Sequence, residues 1–237
     1  MTRRRWIADE VSGNRAALTG AHADHLARVL RGRSGQEFDI STGEIVRRGR
    51  ITQVAEGRVE FELGELVPAP AVPSLTLWLS IFKFDRLEWA IEKCSELGAA
   101  RIVPLIAQRT SAHLAAAAPK RAERWQRLAR QASEQSRRTS PPEITPPVKL
   151  KAGVMRPSGT GIVLAETKQA MTLKQALENA ARASEITLAI GPEGGWTQPE
   201  MNLFLQAGWT AAALGTTILR AETAAIAATA IALAALG

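Results

Sequence analysis

The chain has 237 residues, 46% hydrophobic and 22% charged, with a net charge of +7. That is ordinary for a soluble globular protein and leaves room for one large domain or two small ones. One cysteine, Cys94, excludes an intrachain disulfide and a Cys-rich zinc site, and three scattered histidines, His22, His25 and His113, do not argue for a metal.

The first residues, Met1-Thr-Arg-Arg-Arg-Trp6, lead into no apolar segment, so a signal peptide is not expected. Residues 22–31 read as a helix, with Leu26, Val29 and Leu30 on one face and Arg28 and Arg31 nearer its edges. His22 and His25 lie three apart there without a carboxylate motif, which reads as helix surface. Short alternating segments follow at 37–40, 44–51 and 58–63, punctuated by Gly35, Gly43, Gly49 and Gly57. Short strands with regular turn signals predict a small antiparallel barrel. The run Pro68-Ala-Pro-Ala-Val-Pro73 reads as a linker, because proline neither continues a helix nor suits a central strand. It divides the chain into domains at 1–70 and 74–237.

The second part alternates: a strand at 75–81, a helix at 85–97 ended by Gly98, and a strand at 101–106. A long helix at 120–138 then carries Lys120, Arg124, Arg127 and Arg138 along one side, opposite Trp125, Leu128, Ala129 and Ala132. Between Arg101 and Arg156, twelve Lys and Arg face three Glu, the footprint of a polyanion partner. A proline cluster at 140–147 returns the chain to a strand at 161–165 and a helix at 173–183. This α/β alternation predicts a mostly parallel sheet covered by helices.

Two glycine corners follow. Ile190-Gly-Pro-Glu-Gly-Gly-Trp196 comes after the apolar run 186–190, and Leu214-Gly-Thr-Thr-Ile-Leu-Arg220 after the run 211–214. Each ends where a helix begins, the first with a Thr197–Glu200 capping box. Such corners build a ligand pocket at the carboxyl ends of strands. Neither a G-x-x-x-x-G-K-S/T loop nor a G-x-G-x-x-G loop is present, so a P-loop or dinucleotide fold is not expected. Glu193 would repel a pyrophosphate and favour a cationic ligand or a ribose hydroxyl. The last stretch, 221–236, is alanine-rich, too short and too weakly apolar to span a membrane, and reads as a helix packed in the core or at a subunit interface.

The segments "GPEGGWTQPE" and "LGTTILRAETA", in this order and near the chain end, resemble the SPOUT methyltransferases, and within them the ribosomal RNA small subunit methyltransferase E family. Residues 83–110 and "SEQSRR" at 133–138 resemble further family segments, and the N-terminal arginines match more loosely. The resemblance implies an α/β fold whose C-terminal SPOUT domain carries a trefoil knot, with a PUA-like RNA-binding β-barrel in front. Periodicity alone would draw an unknotted sheet. It implies methylation of N3 of a uridine in 16S rRNA by S-adenosylmethionine, without a metal, by a cytoplasmic homodimer that has no membrane contact. The partner would be 16S rRNA, within the small ribosomal subunit.

On that reading, the cofactor lies across three strand ends, contacted by Leu164, Glu166, Gly191, Pro192, Glu193, Gly194, Leu214, Gly215, Ile218 and Leu219. Arg220 is the candidate to stabilise charge on the uracil oxygens, and Glu134 or Glu222 the candidate proton acceptor. Glu222 has a second reading as the cap of the last helix. Candidate RNA contacts are Arg3, Arg5, Arg28, Arg31, Arg109, Lys120, Arg124, Arg137 and Arg138. Two alternatives are weighed. One is a SPOUT enzyme acting on tRNA or 23S rRNA. The other is a non-catalytic rRNA-binding assembly factor, which would be expected to have eroded cofactor loops.

Overall fold

The computed structural model describes residues 5–43, 45–68, 74–150, 157, 159–165, 171–180 and 185–236. The chain forms two compact units. One comprises 1–71 with Ser133–Pro141, the other 72–132 with Pro142–Gly237.

The first unit carries β1 (Arg5–Ile7), β2 (Glu10–Ser12), β3 (Arg15–Thr19), α1 (Gly20–Asp24), β4 (Glu37–Ser41), β5 (Val46–Ala55) and β6 (Arg58–Val67). Its six strands run in the order β1-β4-β5-β6-β3-β2 and pair antiparallel except for β1 with β4. The two edge strands are sequence neighbours, so the sheet must curl to bring its edges together. The connecting residues bond to both sides: Ala8 N–H donates to the Ser41 carbonyl and Asp9 N–H to the Ala17 carbonyl, each at 2.9 Å. Val59, Phe61 and Leu63 alternate inward on β6 and join Trp6, Leu18, Leu26, Ile40 and Ile51 in one core. The helix expected over 22–31 is a short α-helix that widens into a π-turn at His25–Val29, and Arg31 leaves it with φ of 53°. Ser133–Pro141 joins this unit through side chains: Ser41 donates to the Thr139 carbonyl and Arg5 to the Arg137 carbonyl. No sequence pattern signals that return.

The second unit is built on β7 (Ser74–Ser80), β8 (Arg101–Ile106), β9 (Glu143–Ile144), β10 (Val148–Lys149), β11 (Thr160–Leu164), β12 (Met171–Thr172), β13 (Glu185–Ile190) and β14 (Thr210–Ala213). Its helices are α2 (Phe84–Leu97), α3 (Ala112–Ala117), α4 (Ala122–Gln135, whose residues from Ser133 on belong to the first unit), α5 (Leu173–Asn179), α6 (Gln198–Gln206) and α7 (Ala221–Leu236). The strands are parallel, in the order β10-β8-β7-β13-β11-β14-β12, with β9 also beside β8. Parallel strands buried on both faces read as continuous apolar runs, as in β13. There Ile186, Leu188 and Ile190 face one cluster with α2, α5 and α7, while Ala189 faces Phe204 of α6 and Trp209.

The long basic helix begins earlier and less regularly than its pattern predicts. It comprises α3, a 3₁₀ turn at Ala118–Arg121 holding Pro119, and then α4. Proline lacks the N–H a continuous helix needs, which breaks the run there. The left-handed backbone of Arg137, φ 60°, lies just past its end. The proline cluster does more than return the chain, since β9 within it and β10 just after it both pair with β8. Among the described residues, no helix is long and apolar enough to cross a membrane.

Candidate active site

Chain direction sets the location. β7 leads to β8 on one side of the sheet, while its neighbour β13 leads to β14 on the other. Loops that part in this way leave a crevice at the carboxyl ends of the strands. A cavity of about 1240 Å³ lies there, lined by the ends of β11, β13 and β14 and by the loops that follow the latter two.

The loop after β13 is pinned from several sides. Gly195 N–H donates to the Pro192 carbonyl at 2.8 Å, closing a turn in which Gly195 takes φ of 70°. An L-residue with a side chain is strained in that conformation. The Trp196 indole N–H donates to the Leu164 carbonyl at 3.0 Å. A Cβ on Gly191 would stand 3.2 Å from that indole nitrogen, so a side chain there would press on the ring that makes this bond. Arg109 donates to the Gly194 carbonyl. The capping box forms: Glu200 Oε2 accepts from Thr197 N–H at 2.8 Å, and Oε1 accepts from Gln108 N–H at 2.6 Å. Glu200 is 5% exposed, so one buried carboxylate caps α6 and fastens the β8 loop to the β13 loop. A cap of this type contributes about 1 kcal/mol.

The loop after β14 runs from Leu214 to Arg220 into α7, with Ile218 81% exposed and Arg220 exposed at the wall. Glu222 sits in the first turn of α7, where the helix dipole favours a carboxylate. It is buried beside Arg86, whose Nε stands 3.7 Å from Glu222 Oε1. Arg86 also donates to Glu193 Oε1 at 2.8 Å. Glu193 is therefore matched by a cation of the chain itself.

Leu164, Gly191, Pro192, Glu193, Gly194, Leu214, Gly215, Ile218, Leu219 and Arg220 all line the cavity. Glu166 and Arg3 lie outside the described residues. Arg109, expected on RNA, lines the cavity on the glycine loop. Arg86, Thr172, Trp196 and Met201 line it too and were not anticipated. One signal for Arg86 was available: a cation in the first turn of α2, where the dipole disfavours it by about 0.3–1 kcal/mol.

The other candidates are distributed over both units. In the second, Lys120 is exposed, and Arg124 Nε reaches both oxygens of Glu88 at 2.9 Å. Arg121 stacks over Phe84, 4.9 Å from the ring centroid. In the first unit, Arg28 is exposed and pairs with Asp24 and Glu56 at 3.8 and 3.4 Å. Such exposed pairs stabilise little and exchange readily. Arg31 and Arg137 are exposed. Arg5 is buried, and burial lowers its guanidinium, with Asp39 opposing and Arg137 reinforcing the shift. Burial also pulls half-buried Arg138 down to about 10. Glu134 is buried at the end of α4, in the stretch that belongs to the first unit. Among the described residues, no three His, Cys, Asp or Glu cluster as metal ligands.

The cavity suits a ligand with apolar faces and polar edges. Leu164, Leu214 and Leu219 offer apolar faces, and the glycine loops bring backbone N–H and C=O groups within reach. A family profile described as RNA methyltransferase domain matches residues 69–233. The ribosomal RNA small subunit methyltransferase E of Synechocystis is 35% identical over 87% of this chain and 69% of its own. That of Rickettsia conorii is 30% identical over 86% and 83%. A ribosomal RNA small subunit methyltransferase E of Neisseria gonorrhoeae, solved bound to S-adenosyl methionine, superposes with a TM-score of 0.85 at 30% identity, over 97% of this chain and 96% of that one. A putative methyltransferase of Legionella pneumophila, solved with bound cofactor SAM, gives 0.87 at 26%, over 99% and 98%. With glycine corners, parallel sheet and whole-length similarity in agreement, the chain belongs to the ribosomal RNA small subunit methyltransferase E family.

Proposed function

We propose that this protein transfers the methyl group of S-adenosylmethionine to N3 of a uridine in 16S rRNA. The observation that carries the reading is the glycine-lined cavity at the ends of β11, β13 and β14, in a chain of this family. S-adenosylmethionine supplies the methyl group. The chain's residues hold the acceptor in line with it, which accounts for much of such catalysis. Uracil N3 must lose a proton, and negative charge then develops on O2 and O4. Arg220, exposed at the cavity wall, is the donor for that charge. Glu134 and Glu222 are the carboxylates to test as proton acceptor. For Glu222, burial in the first turn of α7 favours the capping role.

The curled sheet of the first unit is the proposed PUA-like barrel, and the parallel unit the proposed SPOUT domain with its trefoil knot. RNA phosphates would meet exposed cations such as Lys120, Arg124 and Arg137, which position the strand without reading its sequence. The target base would be unstacked to enter the cavity. A homodimer is proposed in the cytoplasm, where rRNA is. Ala225, Ala228 and Ala232 of α7 are buried within the chain, so a partner would meet the other side of the helix, around Ile231 and Ala234.

The test has two arms. Isothermal titration should show S-adenosylmethionine binding. Mass spectrometry of 16S rRNA from a deletion strain should show a missing N3-methyluridine that the cloned chain restores. Intact 16S rRNA with a lesion in tRNA or 23S rRNA would move the substrate. Absence of cofactor binding would make the chain an assembly factor.

A further inference from the structure

Arg86 stands in the first turn of α2, at the crevice where the β7 and β13 connections part. A cation there works against the helix dipole. Conflicts between local preference and observed placement concentrate at functional positions. The side chain's contacts show what the placement achieves. Nη1 donates to Glu193 Oε1 at 2.8 Å, and Nε stands 3.7 Å from Glu222 Oε1. Glu193 belongs to the loop after β13, and Glu222 begins the helix that the loop after β14 enters. Those two strands are separated in the sheet by β11. One guanidinium thus links the loop after β13 to the first turn of the helix that follows the β14 loop, and it lines the cavity itself.

Glu222 makes the arrangement demanding. Its side chain is 5% exposed, and its Oε2 has no hydrogen-bond partner among the described residues. A buried carboxylate needs a counter-charge, and losing it leaves an uncompensated ion. Arg86 supplies that charge while its other arm holds the exposed Glu193. A lysine would not do the same, because an ammonium is a single point charge whereas the guanidinium is a rigid fork with donors in several directions.

We infer that Arg86 is a positioning residue for methyl transfer, fixing the spacing of the two cofactor loops by holding Glu193 and Glu222 at once. The inference rests on the reading of the cavity as the S-adenosylmethionine site.

The experiment titrates S-adenosylmethionine into the full chain by calorimetry, for the parent, Arg86→Lys, Arg86→Gln, Glu193→Gln and the double variant Arg86→Gln/Glu193→Gln, with a melting curve for each. The parent should bind. Arg86→Gln should weaken binding at least tenfold, and Arg86→Lys should recover only part of it. The double variant should be no weaker than Arg86→Gln alone, because residues acting as one unit are not additive. Parent-like affinity in Arg86→Gln, or a double variant whose loss is the product of the two single losses, overturns the inference. If Arg86→Gln does not fold, Arg86→Lys and Glu193→Gln decide: a lower melting temperature with parent-like affinity would leave Arg86 a purely structural role and overturn it. A parent that does not bind overturns the reading of the cavity, and this inference with it.

Discussion

The indole N–H of Trp196 donates to the backbone carbonyl of Leu164 at 3.0 Å, tying the loop after β13 to the end of the neighbouring strand β11. The same ring packs edge-on against Phe204 of α6, with centroids 5.0 Å apart. Trp196 thus sets the height of the glycine loop over the sheet with one polar and one apolar contact. Trp196→Phe keeps much of the packing and removes the donor. It should destabilise the fold by about 1–3 kcal/mol, the cost of a buried acceptor left unpaired. Affinity for S-adenosylmethionine should fall with it, by about tenfold if roughly 1.4 kcal/mol of the loss is felt in the loop. Urea midpoints and calorimetry check this. An unchanged midpoint together with unchanged affinity would sink it.

Gly194→Val tests the loop from the cavity side. A Cβ there would stand 3.2 Å from Arg109 Cδ, the flexible part of an exposed side chain. The fold should tolerate the change, with Arg109 displaced from the Gly194 carbonyl. Ligand space should be lost, and S-adenosylmethionine binding with it. Near-parent affinity in a folded Gly194→Val would remove this loop from the site.

Much of the second unit was legible in the sequence. Apolar runs bounded by glycine and polar residues place β7, β8, β11, β13 and β14 within a residue or so, because strands buried on both faces are continuous in hydrophobicity. The two glycine corners, and with them most of the cavity lining, follow from local sequence. The two-residue strands β9, β10 and β12 were not legible, since two residues carry no period. Nor was the return of Ser133–Pro141 to the first unit, which rests on Ser41 and Arg5 bonding to distant carbonyls. Arg86 and Glu193 are 107 positions apart, and Arg124 and Glu88 are 36 apart. Pairings of that kind are set by the tertiary fold, so a basic stripe on a helix did not reveal which of its cations is already engaged.

Cys94 gives a pH test of the packing between α2 and α7. Burial pushes its thiol up from 9.0 to about 12, with the Thr229 hydroxyl opposing slightly. The folded protein should not react with a thiol reagent at pH 8, and the denatured protein should yield one thiol. The sign of the linkage follows. Below pH 9.0 both states hold the proton and the full stability is present. Above it the unfolded chain ionises first, so stability falls as pH rises toward about 12. Cys94→Ala should flatten that alkaline limb. A thiol that reacts freely in the folded protein would contradict the burial.

RNA binding is better tested at Lys120 and Arg127, both exposed, than at half-buried Arg138, where a carboxylate would endanger the fold. Lys120→Glu with Arg127→Glu should weaken 16S rRNA binding and reduce its salt slope by about 0.7–0.9 per lost phosphate contact. Cofactor affinity should not move. Parent-like methylation at every salt concentration would make this side of the helix a solvated face only.

Arg220→Ala addresses the chemistry. Arg220 is exposed at the cavity wall, whereas Arg86 and Arg109 are engaged by Glu193 and the Gly194 carbonyl. Charge on uracil O2 or O4 appears mainly as N3 loses its proton, and an interaction made only then shows in kcat more than in affinity. Loss of one well-placed donor should lower turnover about 100- to 1000-fold. The competing account has Arg220 holding the loop or an RNA phosphate, which would weaken binding and spare turnover at saturation. Single-turnover rates at saturating enzyme and cofactor separate the two. Raising the pH should partly restore the variant if uracil ionisation is the step being helped, because the anion then forms without assistance. Full activity at saturation, or no recovery at high pH, would move Arg220 from catalysis to positioning.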